Sequence, residues 1–233
     1  MLKTNNIRVY NWEGSLRGMR NPLNSWHLSD TDFEMKTNPQ GVHYPTIGEN
    51  DYSLCKRLIT AGPDHRKFLR QIFVSIDIDA PLFWWKEFDT YKVGTVANSC
   101  STMHKIHSKE FTRSDFSYEN MSSETDEKSP IVYGSYKLSP SGLVDFTIHT
   151  LNYLRDKFNE TKDKKYWRMM IEALPTSYNQ LRTVTLNYEV LRNLYRARRH
   201  HKLTEWHTLC DVIEALPYSE FITDKWPEVS IYE

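Results

Sequence analysis

The stretch IFVSIDIDAP, residues 72–81, decides the fold class. Apolar and polar side chains alternate through it, which is the period of a β-strand with one buried face. The apolar face consists of Ile72, Val74, Ile76 and Ile78. Pro81 interrupts the alternation, and we expect the following LFWW to continue this strand or to pair with a neighbouring one. The pattern therefore predicts a half-buried strand in a sheet.

On the N-terminal side, a second alternating pattern around Ile7–Trp12 predicts an early strand. The stretch GSLRGMRNPLNSWHLSDT, residues 14–31, is predicted to be a loop because it is rich in Gly, Asn and Ser. A helix follows through DYSLCKRLITA, with Asn50 as its cap and Gly62 as its stop.

On the C-terminal side, residues 108–141 are polar and rich in Ser, Glu and Asp, and we predict a mobile excursion there. A long helix is predicted to begin near Pro140, because Leu143, Phe146, Leu151, Leu154 and Phe158 recur at helical spacing. Further helices are predicted in KKYWRMMIEAL, TLNYEVLRNLYRARR and TEWHTLCDVIEAL. The last of these should bury Trp206, Leu209, Cys210, Ile213 and Leu216. Together these elements predict one α+β domain over residues 1–233, with a central antiparallel sheet flanked by helices.

The composition is that of a globular protein, with 39% hydrophobic and 26% charged residues. Lys+Arg and Asp+Glu balance at 30 each, which argues against a general polyanion binder and makes nucleic acid an unexpected partner. The three cysteines are far apart, so we expect neither a disulfide framework nor a zinc site. We find no signal-peptide segment and no run of about eighteen apolar residues, which predicts a cytoplasmic protein without membrane association.

The segment WWKEFDTYKVGTVANSCSTMHKI, residues 84–106, is the strongest candidate for a functional site. Gly94 permits a sharp turn, Lys86 and Lys92 could neutralise a phosphate, and Ser101 or Cys100 could lie near a reacting carbon. An alternative interpretation is structural. It has Asn98 and Ser99 capping a helix from Cys100 to Ser108, with His104 and His107 on its surface.

Two basic segments also allow two interpretations. In RNLYRARRHHK, Arg192, Arg196 and Arg199 share one helix face, which suits either a solvated helix end or a phosphate contact. In RGMRNPLNSW, Arg17 and Arg20 could meet an anion. The histidines show no HExxH spacing, and we predict no metal site.

Two stretches, read together, resemble the flavin-dependent thymidylate synthases. The first is LITAG at residues 58–62 with IFVSIDIDAPLFWWKEFDTYKVGTVANSCSTMHK at 72–105. In that family a strand ending in Ala-Pro leads to Arg-His-Arg and then to a serine within an Asn-Glu-x-Ser-x-Arg-Tyr run. The second is ALPTSYNQLRTVTLNYEVLRNLYRAR at 173–198, which is similar to the family's Leu-Pro, Thr-x-Asn and Leu-x-Asn-to-Arg pattern. The resemblance covers about residues 50–106 and 141–222.

The resemblance implies roles for individual residues. Ser101 matches the serine of the family motif and is the implied catalytic residue. The implied nucleotide-binding residues are Lys92, Asn98, His104 and Arg198. Asn187 and Asn193 match asparagines that contact flavin. The family also implies FAD, with NADPH and methylenetetrahydrofolate, and a pyrimidine deoxynucleotide such as dUMP as substrate. It further implies a homotetramer, and a single protomer that leaves Trp84, Trp85 and Trp206 partly uncovered would be consistent with that assembly.

The chain departs from the family pattern at several charged positions. Thr90, Tyr91 and Lys92 stand in place of Arg-His-Arg, while Ser99 replaces the glutamate and Met103 the arginine of the second run. Further on, Glu189 replaces an arginine. Because lysine or threonine cannot reproduce a bidentate arginine contact, we expect a divergent enzyme. The alternative is a non-catalytic nucleotide-binding or structural homo-oligomer that kept the fold.

Overall fold

The computed structural model describes residues 2–121 and 131–227. These fall into two compact units. The first unit contains residues 79–88 and 99–181, and the second contains residues 2–78, 89–98 and 182–227, within the described ranges. The single domain expected over residues 1–233 stays a prediction.

The fold is α+β, with an antiparallel sheet flanked by helices, as the sequence predicts. Its strands are β1 Lys3–Tyr10, β2 Asp32–Thr37, β3 His43–Thr46, β4 Phe73–Pro81, β5 Val96–Ser99, β6 Ile131–Tyr133, β7 Tyr136–Leu138 and β8 Asn179–Asn187. Its helices are α1 Trp12–Arg20, α2 Glu49–Ala61, α3 Leu82–Phe88, α4 Thr102–Lys105, α5 Pro140–Thr161, α6 Lys164–Ala173, α7 Tyr188–Arg198, α8 Thr204–Glu214 and α9 Glu220–Thr223. None of the helices in the described part of the chain combines the length and the apolar character that a membrane crossing requires.

A four-stranded sheet with the order β1-β4-β8-β5 carries the core of the second unit. The alternation in β4 is confirmed, since Val74, Ile76 and Ile78 are buried. The pairs β2–β3 and β6–β7 form two separate antiparallel hairpins.

The LFWW stretch forms the helix α3, so its prediction as a strand is wrong. Three consecutive aromatic rings cannot all face one side of a strand, whereas the helix packs Trp84 and Trp85 against Phe88 with ring centroids 5.1 and 5.2 Å apart. Trp84, Trp85 and Trp206 are all fully buried. The expectation that these tryptophans are partly uncovered is therefore wrong.

The first half of the predicted loop at residues 14–31 forms most of the helix α1. Trp12 and Leu16 are buried one turn apart on its inner face. A Cβ atom on Gly18 would lie 2.7 Å from Oε1 of Gln71, so this glycine permits a close approach rather than a turn. The sequence predicted a loop because the presence of glycine does not distinguish a turn from the close approach of another side chain.

The helix α2 is confirmed, and Gly62 ends it with a φ of 112°. Its predicted cap, Asn50, lies inside the helix instead. The carboxylate of Asp30 accepts hydrogen bonds from the backbone N–H of Asn50 at 2.8 Å and of Asp51 at 3.1 Å. The first turn is thus capped by a residue about twenty positions earlier in the chain, which local sequence patterns do not reveal.

The first unit is built around the long helix α5, which begins at Pro140 as predicted and packs against α6. Its core contains Ile106, Phe111, Phe116, Leu151, Leu154 and Met170. Phe111 and Phe116 belong to the segment predicted as a mobile excursion, and both are buried. The mobility of residues 108–141 stays a prediction. Residues 122–130 lie outside the described residues.

Candidate functional site

A cavity of about 410 Å³ lies in the first unit. Its polar wall includes Asp79, Ser101, Lys105, Lys109, Asp115 and Tyr178. Ile106 and Phe111 supply apolar wall, and both side chains belong to the core of this unit. A largely apolar concavity with a few convergent polar groups is the usual form of a small-molecule site.

The backbone at Cys100, directly before the cavity residue Ser101, is hydrogen-bonded to the first residues of β8. The backbone N–H of Cys100 donates to the carbonyl oxygen of Leu181 at 2.9 Å. Nε2 of Gln180 donates to the carbonyl oxygen of Cys100, also at 2.9 Å. The side chain of Cys100 itself is exposed. These two bonds hold the backbone that leads to Ser101 in a defined position.

Ser101 is the N-cap of the short helix α4. Its Oγ accepts hydrogen bonds from the backbone N–H of Met103 at 3.2 Å and of His104 at 3.1 Å. The same Oγ lies 2.8 Å from Nδ1 of His104. With Ser101 donating, His104 Nδ1 is the acceptor and the ring proton lies on Nε2. The helix cap is therefore Ser101 and not Asn98 or Ser99, and the helix covers only four residues.

A second polar group on the cavity wall combines Lys109, Asp115 and Tyr178. Nζ of Lys109 lies 2.5 Å from Oδ1 of Asp115, and the backbone N–H of Thr112 donates to the other carboxylate oxygen. Burial raises the pKa of Asp115, but these hydrogen bonds outweigh it and hold the pKa below its usual value. Burial and the nearby Asp115 raise the pKa of Tyr178. Tyr178 is therefore a neutral hydroxyl beside an internally neutralised ion pair.

The residues with implied roles are divided between the two units. Ser101 and His104 lie in the first unit, where they are hydrogen-bonded to each other. The other five, Lys92, Asn98, Asn187, Asn193 and Arg198, belong to the second unit. Lys92 and Asn98 are both exposed, and Asn98 lies on β5.

Arg198 has a defined aromatic setting in the second unit. Its Nε donates to the hydroxyl of Tyr91 at 2.9 Å. The guanidinium carbon lies 4.7 Å from the ring centre of Trp206 and 5.6 Å from that of Tyr91. Such cation–π contacts hold the planar head group in one orientation. The sequence did not reveal this setting, because Tyr91 is 107 residues away from Arg198 in the chain and Trp206 lies on the next helix, α8.

The two asparagines with implied flavin contacts differ in how far they fit that role. Oδ1 of Asn187 accepts from the backbone N–H of Val190 at 3.0 Å and caps α7, so only its amide nitrogen remains for a ligand. Asn193 is exposed on the same helix. The flavin contacts implied for Asn187 and Asn193 stay predictions.

Three arginines in α7 and at its C-terminal end are engaged in ion pairs. Arg192 and Arg196 both contact the carboxylate of Asp224 at 2.6 Å, and Arg199 contacts Asp211 at 2.6 Å. The interpretation of these arginines as a phosphate contact therefore finds no support in this arrangement. The alternative of a solvated helix end also fails for Arg192, which is fully buried.

The arginines of the N-terminal segment lie in the helix α1. Arg20 is buried, and its Nε donates to the carboxylate of Asp51 at 2.6 Å. Its charge is thereby compensated inside the protein. Arg17 is exposed, with its guanidinium 5.4 Å from the ring centre of Trp26. Among residues 2–121 and 131–227, no three His, Cys, Asp or Glu side chains are grouped to hold a metal ion.

No protein-family model matches the chain, and no curated protein matches it by sequence. The fold is similar to that of flavin-dependent thymidylate synthases among the solved structures. Thymidylate synthase X (ThyX) from Helicobacter pylori, solved with FAD and dUMP, has a TM-score of 0.64 at 17% identity, covering 96% of this chain and 98% of that one. The UMP/dUMP methylase PolB from Streptomyces cacaoi, bound with 5-Br dUMP, has a TM-score of 0.56 at 12% identity, covering 92% and 88%. At these identities the likeness shows the fold.

Proposed function

We propose that this protein is a divergent flavin-dependent thymidylate-synthase-like enzyme. It transfers a one-carbon unit to C5 of a pyrimidine deoxynucleotide, dUMP or a variant. The observation that carries the proposal is the cavity of about 410 Å³ beside Ser101. This volume lies within the range of small-molecule sites, and the surrounding fold is shared with proteins solved with dUMP or 5-Br dUMP.

In this proposal Ser101 contacts the nucleotide from the cavity wall. Its Oγ already accepts two backbone N–H groups and lies 2.8 Å from Nδ1 of His104, so its proton turns from His104 to the nucleotide on binding. Lys92, Asn98 and Arg198, which are exposed or half-exposed, are proposed as nucleotide-binding residues on the resemblance alone. The proposed assembly is a cytoplasmic homotetramer. Leu143 and Phe146 on α5 are 41% and 62% exposed, which is consistent with a subunit contact through that helix.

FAD is the proposed cofactor, with NADPH as the source of reducing equivalents and methylenetetrahydrofolate as the one-carbon donor. A bound flavin would carry the reducing equivalents needed for the transferred carbon. The side-chain amides of Asn193 and Asn187 would contact it. The flavin phosphates would need cations other than Arg192, Arg196 and Arg199, because acidic side chains already neutralise these three.

The experiment that tests the proposal is a turnover assay with purified protein, FAD, NADPH, isotopically labelled methylenetetrahydrofolate and dUMP. The expected result is label covalently attached to the pyrimidine, which mass spectrometry detects. UMP and dCMP are assayed in parallel to identify a variant substrate. Absence of label in every pyrimidine nucleotide, from protein shown to bind dUMP, would contradict the enzymatic proposal.

A second candidate function is a non-catalytic nucleotide-binding or structural homo-oligomer. The observation that favours it is the state of Ser101, whose oxygen already accepts two backbone hydrogen bonds as a helix cap. Under this alternative, dUMP binding would persist without turnover.

A further inference from the structure

The cavity of the first unit has a charge distribution that favours one orientation of a nucleotide. Its lining contains two lysines, Lys105 and Lys109, and two carboxylates, Asp79 and Asp115. The lining is therefore neutral in sum, and the sum alone gives no site for a phosphate. The distribution of these four charges decides where an anion is accepted.

Lys109 is a poor phosphate ligand because its charge is already compensated. Its Nζ lies 2.5 Å from Asp115, whose carboxylate also accepts from Thr112 and is about nine-tenths buried. Hydrogen bonding to Asp115 raises the pKa of Lys109, as does the charge of Asp79 nearby. A phosphate placed here would face two carboxylates around a single ammonium group, which is repulsive in sum.

Lys105 has the opposite setting. Its side chain is exposed, lies on the cavity wall and forms no ion pair with any acid among the described residues. The neighbouring cavity residues Ser101, Thr102 and Ser108 carry hydroxyl groups and no charge. The backbone around Lys105 is fixed, since its carbonyl oxygen accepts from both the N–H and the hydroxyl of Ser108, at 3.0 and 2.7 Å. An ammonium group of this kind binds phosphate as a point charge.

We propose that Lys105 binds the phosphate of the pyrimidine deoxynucleotide. The base then lies toward Tyr178 and Asp79, at the end of the cavity where the paired Lys109 and Asp115 exclude an anion. This inference rests on the proposed function, and it assigns phosphate recognition to a residue outside the set predicted from the sequence. The charge lost at Met103 and Thr90 is thus replaced by a lysine at another position of the same segment.

The test is calorimetric titration of dUMP and of deoxyuridine, which has no phosphate, into the wild-type protein and three variants. Lys105→Ala should weaken dUMP binding by about tenfold or more, since a hydrogen bond to a charged group is lost. It should leave deoxyuridine binding unchanged. Lys105→Arg keeps the charge and should retain most of the affinity for dUMP.

Lys164→Ala is the matched control, because Lys164 is exposed in the same unit, does not line the cavity and causes the same change in net charge. It should bind both compounds as the wild type does. Wild-type affinity of Lys105→Ala for dUMP would overturn the assignment of Lys105 and leave the proposed function standing. A wild-type protein that binds neither dUMP nor deoxyuridine would overturn both proposals.

Discussion

Arg66 and Glu189 form a two-pronged ion pair inside the second unit. Nε of Arg66 donates to one carboxylate oxygen of Glu189 at 2.9 Å, and its second guanidinium nitrogen donates to the other at 3.0 Å. Both side chains are nine-tenths or more buried. Glu189 is the position at which the resembled family has an arginine, so this helix uses a carboxylate to neutralise an internal arginine where the family has a cation.

Removing the charge of one member of this ion pair should lower the free energy of unfolding. Glu189→Gln leaves the guanidinium of Arg66 uncompensated, and we expect it to lower the free energy of unfolding by about 3 kcal/mol or more. The double variant Arg66→Met/Glu189→Leu removes both charges and should cost much less than the two single changes together. Urea unfolding of the wild type, Arg66→Met, Glu189→Leu and the double variant measures this difference. Additive single effects would show that the two charges do not interact.

The buried carboxylate of Asp51 should make the protein sensitive to acid. Burial raises its pKa, but hydrogen bonds from Thr31, Ser29 and Arg20 outweigh this and hold the pKa below its usual value. A folded-state pKa below the unfolded value of about 4 stabilises the protein above that pH, and the stabilisation is lost as the pH falls through the lower folded value. Asp51→Asn should therefore destabilise the protein strongly at pH 7 and much less at pH 3.

Urea unfolding at both pH values measures this effect. Asp89→Asn is the control, because Asp89 is 47% exposed in its ion pair with Arg182. Its change should cost about 1 kcal/mol or less. An Asp51→Asn penalty of equal size at pH 7 and pH 3 would contradict the role assigned to its ionised form.

Variants at Ser101 separate its capping role from its binding role. Asparagine also caps helices but has no hydroxyl, whereas threonine keeps both a capping oxygen and a hydroxyl. Ser101→Asn should therefore retain the melting temperature and bind dUMP more weakly. Ser101→Thr should retain both properties. Calorimetry with dUMP, paired with thermal unfolding, distinguishes the capping role from the binding role. An unchanged dUMP affinity in Ser101→Asn would show that Ser101 serves only as the helix cap.

Gly94 should be required for both its conformation and its packing. Its φ is +76°, and an added Cβ would lie 3.0 Å from Nδ2 of Asn187 and 3.2 Å from the side chain of Val190. Gly94→Ala should therefore cost more than the about 1 kcal/mol expected for a left-handed alanine alone. Gly41 is the control, with a φ of +77° and no atom within 4 Å of an added Cβ. Equal destabilisation of the two alanine variants in thermal unfolding would contradict the close packing at Gly94.

The elements that the sequence predicted well are those with a strong local period. The strand at Val74–Ile78 and the helix from Pro140 carry their evidence within a few consecutive residues. The failures involve partners far apart in the chain. Asp30 caps a helix that begins at Glu49, and Gly18 makes room for Gln71. Neither relationship has a local sequence pattern.

In the candidate site too, features with a local sequence pattern were predicted and side-chain pairings were not. The polar segment that contains Ser101 could be recognised from its composition, and the cavity does include that serine. Lys109 pairs with Asp115, whereas Lys105 pairs with no acid among residues 2–121 and 131–227, and this difference depends on the folded arrangement of residues 105–115. A basic residue in a sequence does not show which acid neutralises it, and for this reason the sequence left Arg192, Arg196 and Arg199 open between a solvated helix end and a phosphate contact.

The most direct test of the central proposal is an absorbance spectrum of the purified protein after incubation with FAD and removal of the excess, recorded before and after dUMP is added. The proposal predicts a retained flavin spectrum whose bands shift when dUMP binds next to the cofactor. A colourless protein that also leaves dUMP unbound in calorimetry would contradict it.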